Sequence, residues 1–554
     1  MLLRNCLLRA TALPSALSRP PCRPAPLRRE LFSCSRPTRN TAVKALQTEE
    51  KKRLEAEQAA ASSSTSQNGT GSSGGESGGE GEPVALTSPT AQTTGEVLRL
   101  GKLAFPILLQ YITANVTYLV NTGYVGHLSK PELLSGLVLA ASLSTATGYN
   151  IISGISTATE TVCGQAYGAK NYKALNETLQ RALLICAAAC VPISLLWNNA
   201  ETVLVDLGQP ANIAAGAASY LHIVTPALLL YSIHDCIDRY LISQGVVNPS
   251  LVVAATCSGV APLFAWLFVS HLEMGLEGAG YAYTSVQALN AALSLGYLTW
   301  REKVVLPANQ PQGYEPLKPS MGALQNWGPY LALAFPAIIS YCMEGWACEV
   351  LIFFAGTLDN AELAVGVTGI TLQFSTFVWL VAASFASATS FTVGNKLGAG
   401  DAGGAKATAR RATATVLGTQ IVIGSIAYHF REPLLALLSS NEDVVNLSLA
   451  VMPMLAVCFV ADGLTAVQGG VLRGAGRQWW AAGLNLLGWW GVGVPLAYYL
   501  SHPYGWNVNG LWGGFATAAV LQAFLQFGVI SKLDWDAEVK RSDALISSSA
   551  GKSE

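Results

Sequence analysis

Charge is scarce in this sequence. Only 12% of its 554 residues are Asp, Glu, Lys or Arg, against 51% hydrophobic, and the mean hydropathy is +0.37. Soluble globular domains carry about twice that share of charge, so this composition excludes an ordinary water-soluble globule. Excess charge of one sign is also lacking. With a net charge of -1 the chain has nothing to hold a nucleic acid or an anionic surface. Cysteine is present (11 in all), but no C-x-x-C pair occurs. Cys6, Cys22 and Cys34 fall before residue 100 and the other eight are scattered through apolar stretches, which reads as free, buried thiols. The six histidines (His127, His222, His234, His271, His429 and His502) show no metal-ligand spacing. No Ser/His/Asp grouping, phosphate loop or dinucleotide fingerprint appears either, so metal, cofactor and enzyme chemistry have no foothold.

What the sequence does have is long apolar runs. From Leu100 onward they approach 20 residues each, the length that crosses about 30 Å of hydrocarbon as a helix. The pattern predicts helices near 100–127, 137–163, 180–199, 213–237, 249–270, 277–299, 327–356, 361–391, 412–430, 444–470, 480–500 and 509–531. Loops after helices 2, 6, 8 and 10 hold Lys170, Lys173, Arg181, Arg301, Lys303, Lys318, Lys396, Lys406, Arg410, Arg411, Arg473 and Arg477, whereas the odd-numbered loops hold only Lys130 and Arg431. By the positive-inside rule, both termini and the even loops face the cytosol or its topological equivalent.

Residues 1–99 read differently. The first forty contain eight arginines and one acid, Glu30, the composition of an organellar transit peptide, with Val43-Lys44-Ala45 as a candidate processing site. The alternative is a disordered cytosolic tail. Residues 61–82 are rich in Ser, Gly and Glu and too poor in apolar groups to fold. The last residues, 536–554, are polar and are expected to form a disordered tail.

The chain repeats itself. Shifted by 230 residues, Leu103-Ala104-Phe105-Pro106 falls on Leu333-Ala334-Phe335-Pro336. In the same register Tyr111 meets Tyr341, Gly126 meets Gly356, Glu132-Leu133 meets Glu362-Leu363, Ala158-Thr159 meets Ala388-Thr389, Gly164 meets Gly394, and Gly168-Ala169 meets Gly398-Ala399. Composition bias would scatter Leu and Ala matches, but it would not align Pro and Gly at one offset. Six helices separate equivalent points, so the halves run parallel about an axis along the membrane normal, a known transporter architecture. The expected fold is an all-α integral membrane protein of about twelve transmembrane helices in two pseudo-symmetric six-helix lobes. The lobes are 100–300 and 327–535, joined by a polar cytosolic connector, 301–326.

At these residues a family resemblance emerges. Glu160 followed by Thr161-Val-Cys-Gly-Gln-Ala-Tyr-Gly-Ala169 resembles the signature closing the second helix of multidrug and toxic compound extrusion (MATE) transporters of the eukaryotic type. Val125-Gly126-His127-Leu128 resembles the end of their first helix, Gly394-Asn395-Lys396-Leu397-Gly398-Ala399-Gly400 the repeat copy after helix 8, and Arg473-Gly474-Ala475-Gly476-Arg477-Gln478 the loop after helix 10. The likeness covers 97–535 and leaves the extension outside the pattern. A major-facilitator transporter would share the helix count, but Gly168-Ala-Lys-Asn-Tyr-Lys173 lacks that family's acidic-arginine signature.

An ionised carboxylate at the bilayer centre costs about 2.5 kcal/mol or more, so each intramembrane acid calls for a reason. Glu344 lies mid-helix 7, with Tyr341 and Cys348 on its face, and Asp462 lies deep in helix 10, with Thr465 and Gly469 on its face. Withdrawal from water makes a carboxyl able to exchange a proton near neutrality. In the resembled family, matching acids on these two helices form the cation-coupling site of the C-terminal lobe. The bland reading is two hydrogen-bonded packing groups. Glu349, about 140° round the helix from Glu344, also matches a family acid and could line the cavity with Tyr341, Trp346, Gln110 and Gln468, each of which is otherwise ordinary packing. Aligning Pro226 with Pro453 sets Asp235 opposite Asp462, where the family often carries a neutral amide. Arg239 at i+4 suggests a private ion pair, and a second titratable site is the sharper alternative.

The resemblance implies a multi-pass secondary antiporter, monomeric in its bilayer, that exports organic solutes or xenobiotics in exchange for protons, or less readily sodium, with no other cofactor. Alternatives are an exporter of organic anions such as carboxylates, a lipid-linked flippase, a membrane enzyme, or a non-transporting scaffold. The membrane is expected to be plasma or vacuolar, or that of a plastid or mitochondrion if residues 1–45 are a transit peptide.

Overall fold

The computed structural model of the protein describes residues 89–128, 131–308, 314–439 and 441–549. The arginine-rich start, the candidate processing site and the Ser/Gly/Glu-rich stretch lie outside the described residues.

Twelve helical rods follow one another, as their apolar length requires. They are α1 (Pro89–Gly126), α2, α3 (Tyr172–Asn198), α4 (Ala211–Ser243), α5 (Asn248–Ala265), α6 (Gly275–Trp300), α7 (Trp327–Ala355), α8 (Ala361–Gly398), α9 (Ala402–His429), α10 (Glu442–Gly474), α11 and α12 (Asn507–Ser531). In α2, Pro131–Ser144 passes through a π-turn at Thr145–Tyr149 into Asn150–Gly168, and in α11 Gln478–Asn485 passes through Leu486–Gly493 into Val494–Ser501. Eight of these helices are long and apolar enough to cross a membrane on those grounds alone. Short polar side chains cap several starts: Asn171 accepts from the Ala174 amide at 3.0 Å and Asp401 from the Gly404 amide at 2.7 Å. Pro106, Pro192, Pro226, Pro262, Pro336 and Pro453 sit inside helices. Neighbouring helices make such prolines tolerable in apolar surroundings.

Two hydrophobic cores form. One gathers buried residues from α2, α3, α4 and α6 around Trp197, Leu221 and Leu228, and the other gathers α7, α8, α10 and α12 around Leu351, Met452 and Trp512. Helix α7 belongs to both: Tyr330, Leu333 and Ala334 enter the first core, while Ala347, Leu351 and Ala355 enter the second. Across the seam, the second half of α2 packs on α7 and α8, and α1 packs on α8.

The seam carries the repeat as geometry. A Cβ on Gly168 would lie 2.0 Å from the Asn395 carbonyl oxygen, and a Cβ on Gly398 would lie 1.9 Å from that of Gln165. These are the same contact twice, since the 230-residue shift exchanges the partners. Only glycine allows backbones this close. Higher on the seam, the Tyr111 hydroxyl lies 3.0 Å from Ser387 Oγ, and the equivalent Tyr341 hydroxyl lies 3.5 Å from Thr157 Oγ1. Thr161 donates to the Arg473 carbonyl at 2.9 Å and Gln165 Nε2 to that of Gly474 at 3.0 Å. The lobes are therefore closed against each other on the face carrying the positive loops.

Two segments differ from expectation. Helix α1 starts at Pro89, inside the stretch assigned to the extension. Glu96 accounts for it by forming ion pairs with Lys396, at 3.0 Å, and with Arg411. The expected disordered tail at 536–554 is instead ordered through most of its length as α13 (Trp535–Ser549). Its polarity is one-sided: Trp535 enters a cluster with Val393, Leu397 and Val471, and Ile546 joins the core of the first lobe. Glu538 receives Arg477 in a bidentate pair at 2.6–3.1 Å, and Arg181 of α3 donates to the Ser549 carbonyl at 3.0 Å. Beside this pair, burial and the neighbouring Arg477 hold the Arg541 guanidinium below its ordinary pKa. The connector is likewise strapped to α3: Asn176 donates to the Glu315 carbonyl at 2.8 Å and Arg181 to that of Gln325 at 3.0 Å. Tyr314 donates to Glu302, and burial together with that carboxylate pushes the phenol above its usual range.

Candidate functional site

Glu344 lies on α7 and Asp462 on α10. These two helices share no extensive backbone contact, yet the carboxyls are close enough to interact electrostatically. Cys348 lies within electrostatic reach of Glu344, Asp462 and Glu349, which gathers the three acids in one region of the C-terminal lobe. Asp462 Oδ1 is enclosed and has no hydrogen-bond partner. The only cation whose charge reaches Glu344 among the described residues is Arg473, one helical turn beyond Gly469 on α10. A group of acids with no directly paired base can accept protons or a cationic solute.

The neighbours explain how the acids are held. Gly345 follows Glu344 because Asn150 of α2 approaches there: a Cβ would stand 2.8 Å from Asn150 Nδ2. Trp490, in the π-turn of α11, donates to the Met343 carbonyl at 3.0 Å and pins α7 from the other side. Glu349 accepts from Ser142 of α2 at 2.8 Å and stays exposed, bridging the lobes at the rim. Tyr341 faces the seam, Trp346 is exposed, and Gln468 is buried six residues beyond Asp462 with its Oε1 unpartnered.

Two sequence candidates lie elsewhere. Asp235 accepts from Arg239 at 3.2 Å and from Ser156 of α2, and Arg239 also meets Glu160 of α2 at 3.0 Å. Gln110 is buried against α4, where its Nε2 lies 2.5 Å from Asp238 Oδ2. Both residues are held by partners within the N-terminal lobe. Sequence reasoning passed over Asp238, Glu160 and Arg473 as site residues. Asp238 had a signal, because it is one more carboxyl within an apolar run.

Comparison with known proteins places these features. The MatE family profile matches the chain twice, at residues 106–267 and 336–499. The two matches begin 230 residues apart, the same offset as the repeat. The chain is 33% identical over 459 residues to Protein DETOXIFICATION 51 of Arabidopsis thaliana, covering 82% of this chain and 84% of that one. It is 31% identical to Multidrug and toxin extrusion protein 1 of Danio rerio, over 79% of this chain and 73% of that one. Its fold is similar to the crystal structure of the eukaryotic MATE transporter AtDTX14, with a TM-score of 0.76 at 26% identity, over 82% of this chain and 99% of that one. A MATE crystal structure in the bent conformation superposes with a TM-score of 0.69 at 16% identity, over 83% of this chain and 97% of that one, a likeness of fold alone.

Proposed function

The chain belongs to the MatE family of multi-pass membrane transporters, and on that premise we propose that it is a secondary antiporter exporting organic solutes in exchange for protons. The observation that carries this reading is the pair of carboxyls within the membrane helices, Glu344 on α7 and Asp462 on α10, close enough to interact electrostatically. Two carboxylates so placed repel each other, and taking up protons relieves the repulsion and neutralises the pair. Protonation then favours a tighter approach of α7 and α10, which displaces a bound solute. Loss of the protons on the opposite side of the membrane restores the charged, open arrangement. The closed contacts at Gly168 and Gly398 belong to one end state, in which access runs from the face away from the positive loops. Glu349, Tyr341 and Trp346 line the solute path, Glu349 selecting for positive charge at the rim. Asp235 serves the N-terminal lobe as a structural ion-pair member, since Arg239 holds it.

Transport into sealed vesicles under an imposed pH gradient tests the proposal. A dye-like organic cation should accumulate only when the gradient is present, and a sodium gradient alone should not replace it. Glu344→Gln and Asp462→Asn should each abolish gradient-driven movement while the protein remains folded in the membrane. Full transport by either variant removes that residue from the coupling.

A further inference from the structure

Asp238 is a carboxyl in the interior of the N-terminal lobe, on α4, with no ion-pair partner among the described residues. The neighbouring Arg239 is already shared between Asp235 and Glu160. The groups facing Asp238 are Gln110 from α1, Ser250 at the start of α5, and His234 and Asp235 on its own helix. His234 Nδ1 in turn meets Ser294 of α6 at 2.8 Å. Two oxygens in this pocket are enclosed and unpartnered, Asp238 Oδ1 and Gln110 Oε1, and both residues are only 7% exposed. The one group facing Asp238 that can carry positive charge is the imidazole of His234, which forms no ion pair with it among the described residues.

We propose that Asp238 and Gln110 form a proton-binding site in the N-terminal lobe, separate from Glu344 and Asp462, where Asp238 gains and loses one proton. The pair can hold either state. When Asp238 is ionised, Gln110 Nε2–H donates to it. When it is protonated, its O–H donates to the Gln110 carbonyl oxygen after the amide turns end for end. The next residue on α1, Tyr111, makes the hydrogen bond to Ser387 of α8, so the partner of Asp238 and a lobe-to-lobe contact are adjacent on one helix. Loading of the site thereby biases the seam. This role in the cycle rests on the antiport reading, whereas the existence of the site does not.

Infrared spectroscopy of the purified full chain in lipid bilayers tests the site, because a protonated carboxyl has a carbonyl band that a carboxylate lacks. In the Glu344→Gln/Asp462→Asn protein the C-lobe pair is gone. A protonated-carboxyl band should remain at neutral pH, fade as pH rises, and be lost on adding Asp238→Asn. A spectrum unchanged by Asp238→Asn overturns the proposal. Gln110→Met keeps the carboxyl and removes its acceptor, so the band should move to higher frequency; an unmoved band overturns it. Disappearance of the band on adding sodium at constant pH would assign the pocket to a metal cation and overturn the proton assignment. None of these readouts uses transport, so the antiport reading stands or falls separately in vesicles.

Discussion

Arg239 holds two carboxylates at once, Asp235 at 3.2 Å and Glu160 at 3.0 Å, and this sharing decides what substitutions do there. Removing the cation strands both acids in the lobe interior, so Arg239→Gln should cost about 3–5 kcal/mol, read as a marked drop in thermal unfolding temperature. Asp235→Asn leaves Arg239 its second partner and should be mild. The double variant Asp235→Asn/Arg239→Gln should recover only part of the loss, because Glu160 remains uncompensated, and adding Glu160→Gln should recover most of the rest. Equal stability of Arg239→Gln and wild type would show that the triad contributes nothing. The pairing of Asp235 with Arg239 was legible as an i,i+4 spacing. The claim of Glu160 on the same arginine was not, because 79 residues and a helix crossing separate them. Asp238 was hidden for the same reason: its partner lies 128 residues away on α1.

At the scale of helices, closure of the positive face depends on two glycines. A methyl group at Gly168 or Gly398 would meet a carbonyl oxygen at 2.0 or 1.9 Å, and a backbone cannot yield as a side-chain tip can. Gly168→Ala and Gly398→Ala should each separate the ends of α2 and α8 while leaving both lobes folded. Hydrogen exchange should then quicken at 160–168 and 390–398 and stay unchanged in the two cores; unchanged protection at both ends would contradict the contact. Helix α13 acts on the same face from outside. It is anchored in one lobe by Trp535 and the Glu538–Arg477 pair and in the other by Ile546 and the Arg181–Ser549 bond. Truncation after Leu533 should lower the unfolding temperature by several degrees and speed exchange along the seam. The repeat foretold the paired glycines, because Gly168 and Gly398 share a register. It did not foretell α13, whose sparse apolar residues resemble a solvated tail until the docking surface is known.

Taken whole, the molecule is a transporter of two lobes related by a pseudo-two-fold axis, with membrane-embedded acids in both: Glu160, Asp235 and Asp238 in the first, Glu344, Glu349 and Asp462 in the second. The arginine-rich start makes a separate prediction. Residues 1–60 fused to a fluorescent protein should enter a plastid or mitochondrion and be cleaved, and diffuse cytosolic fluorescence would favour a plasma or vacuolar membrane for the full chain.

The sequence by itself determined the helices, because apolar length and loop charge depend only on composition along the chain. It also determined the two-lobed plan, since a shared register of Pro and Gly survives any packing. It pointed to Glu344 and Asp462, because a carboxyl within an apolar run is conspicuous without coordinates. Only the tertiary structure decided which of the remaining polar groups belong together. It set Gln110 against Asp238 and turned a polar tail into a helix bridging the lobes. These are contacts between residues far apart in sequence. The energy of a buried polar group depends on what faces it across the helix boundary, which no one-dimensional pattern contains.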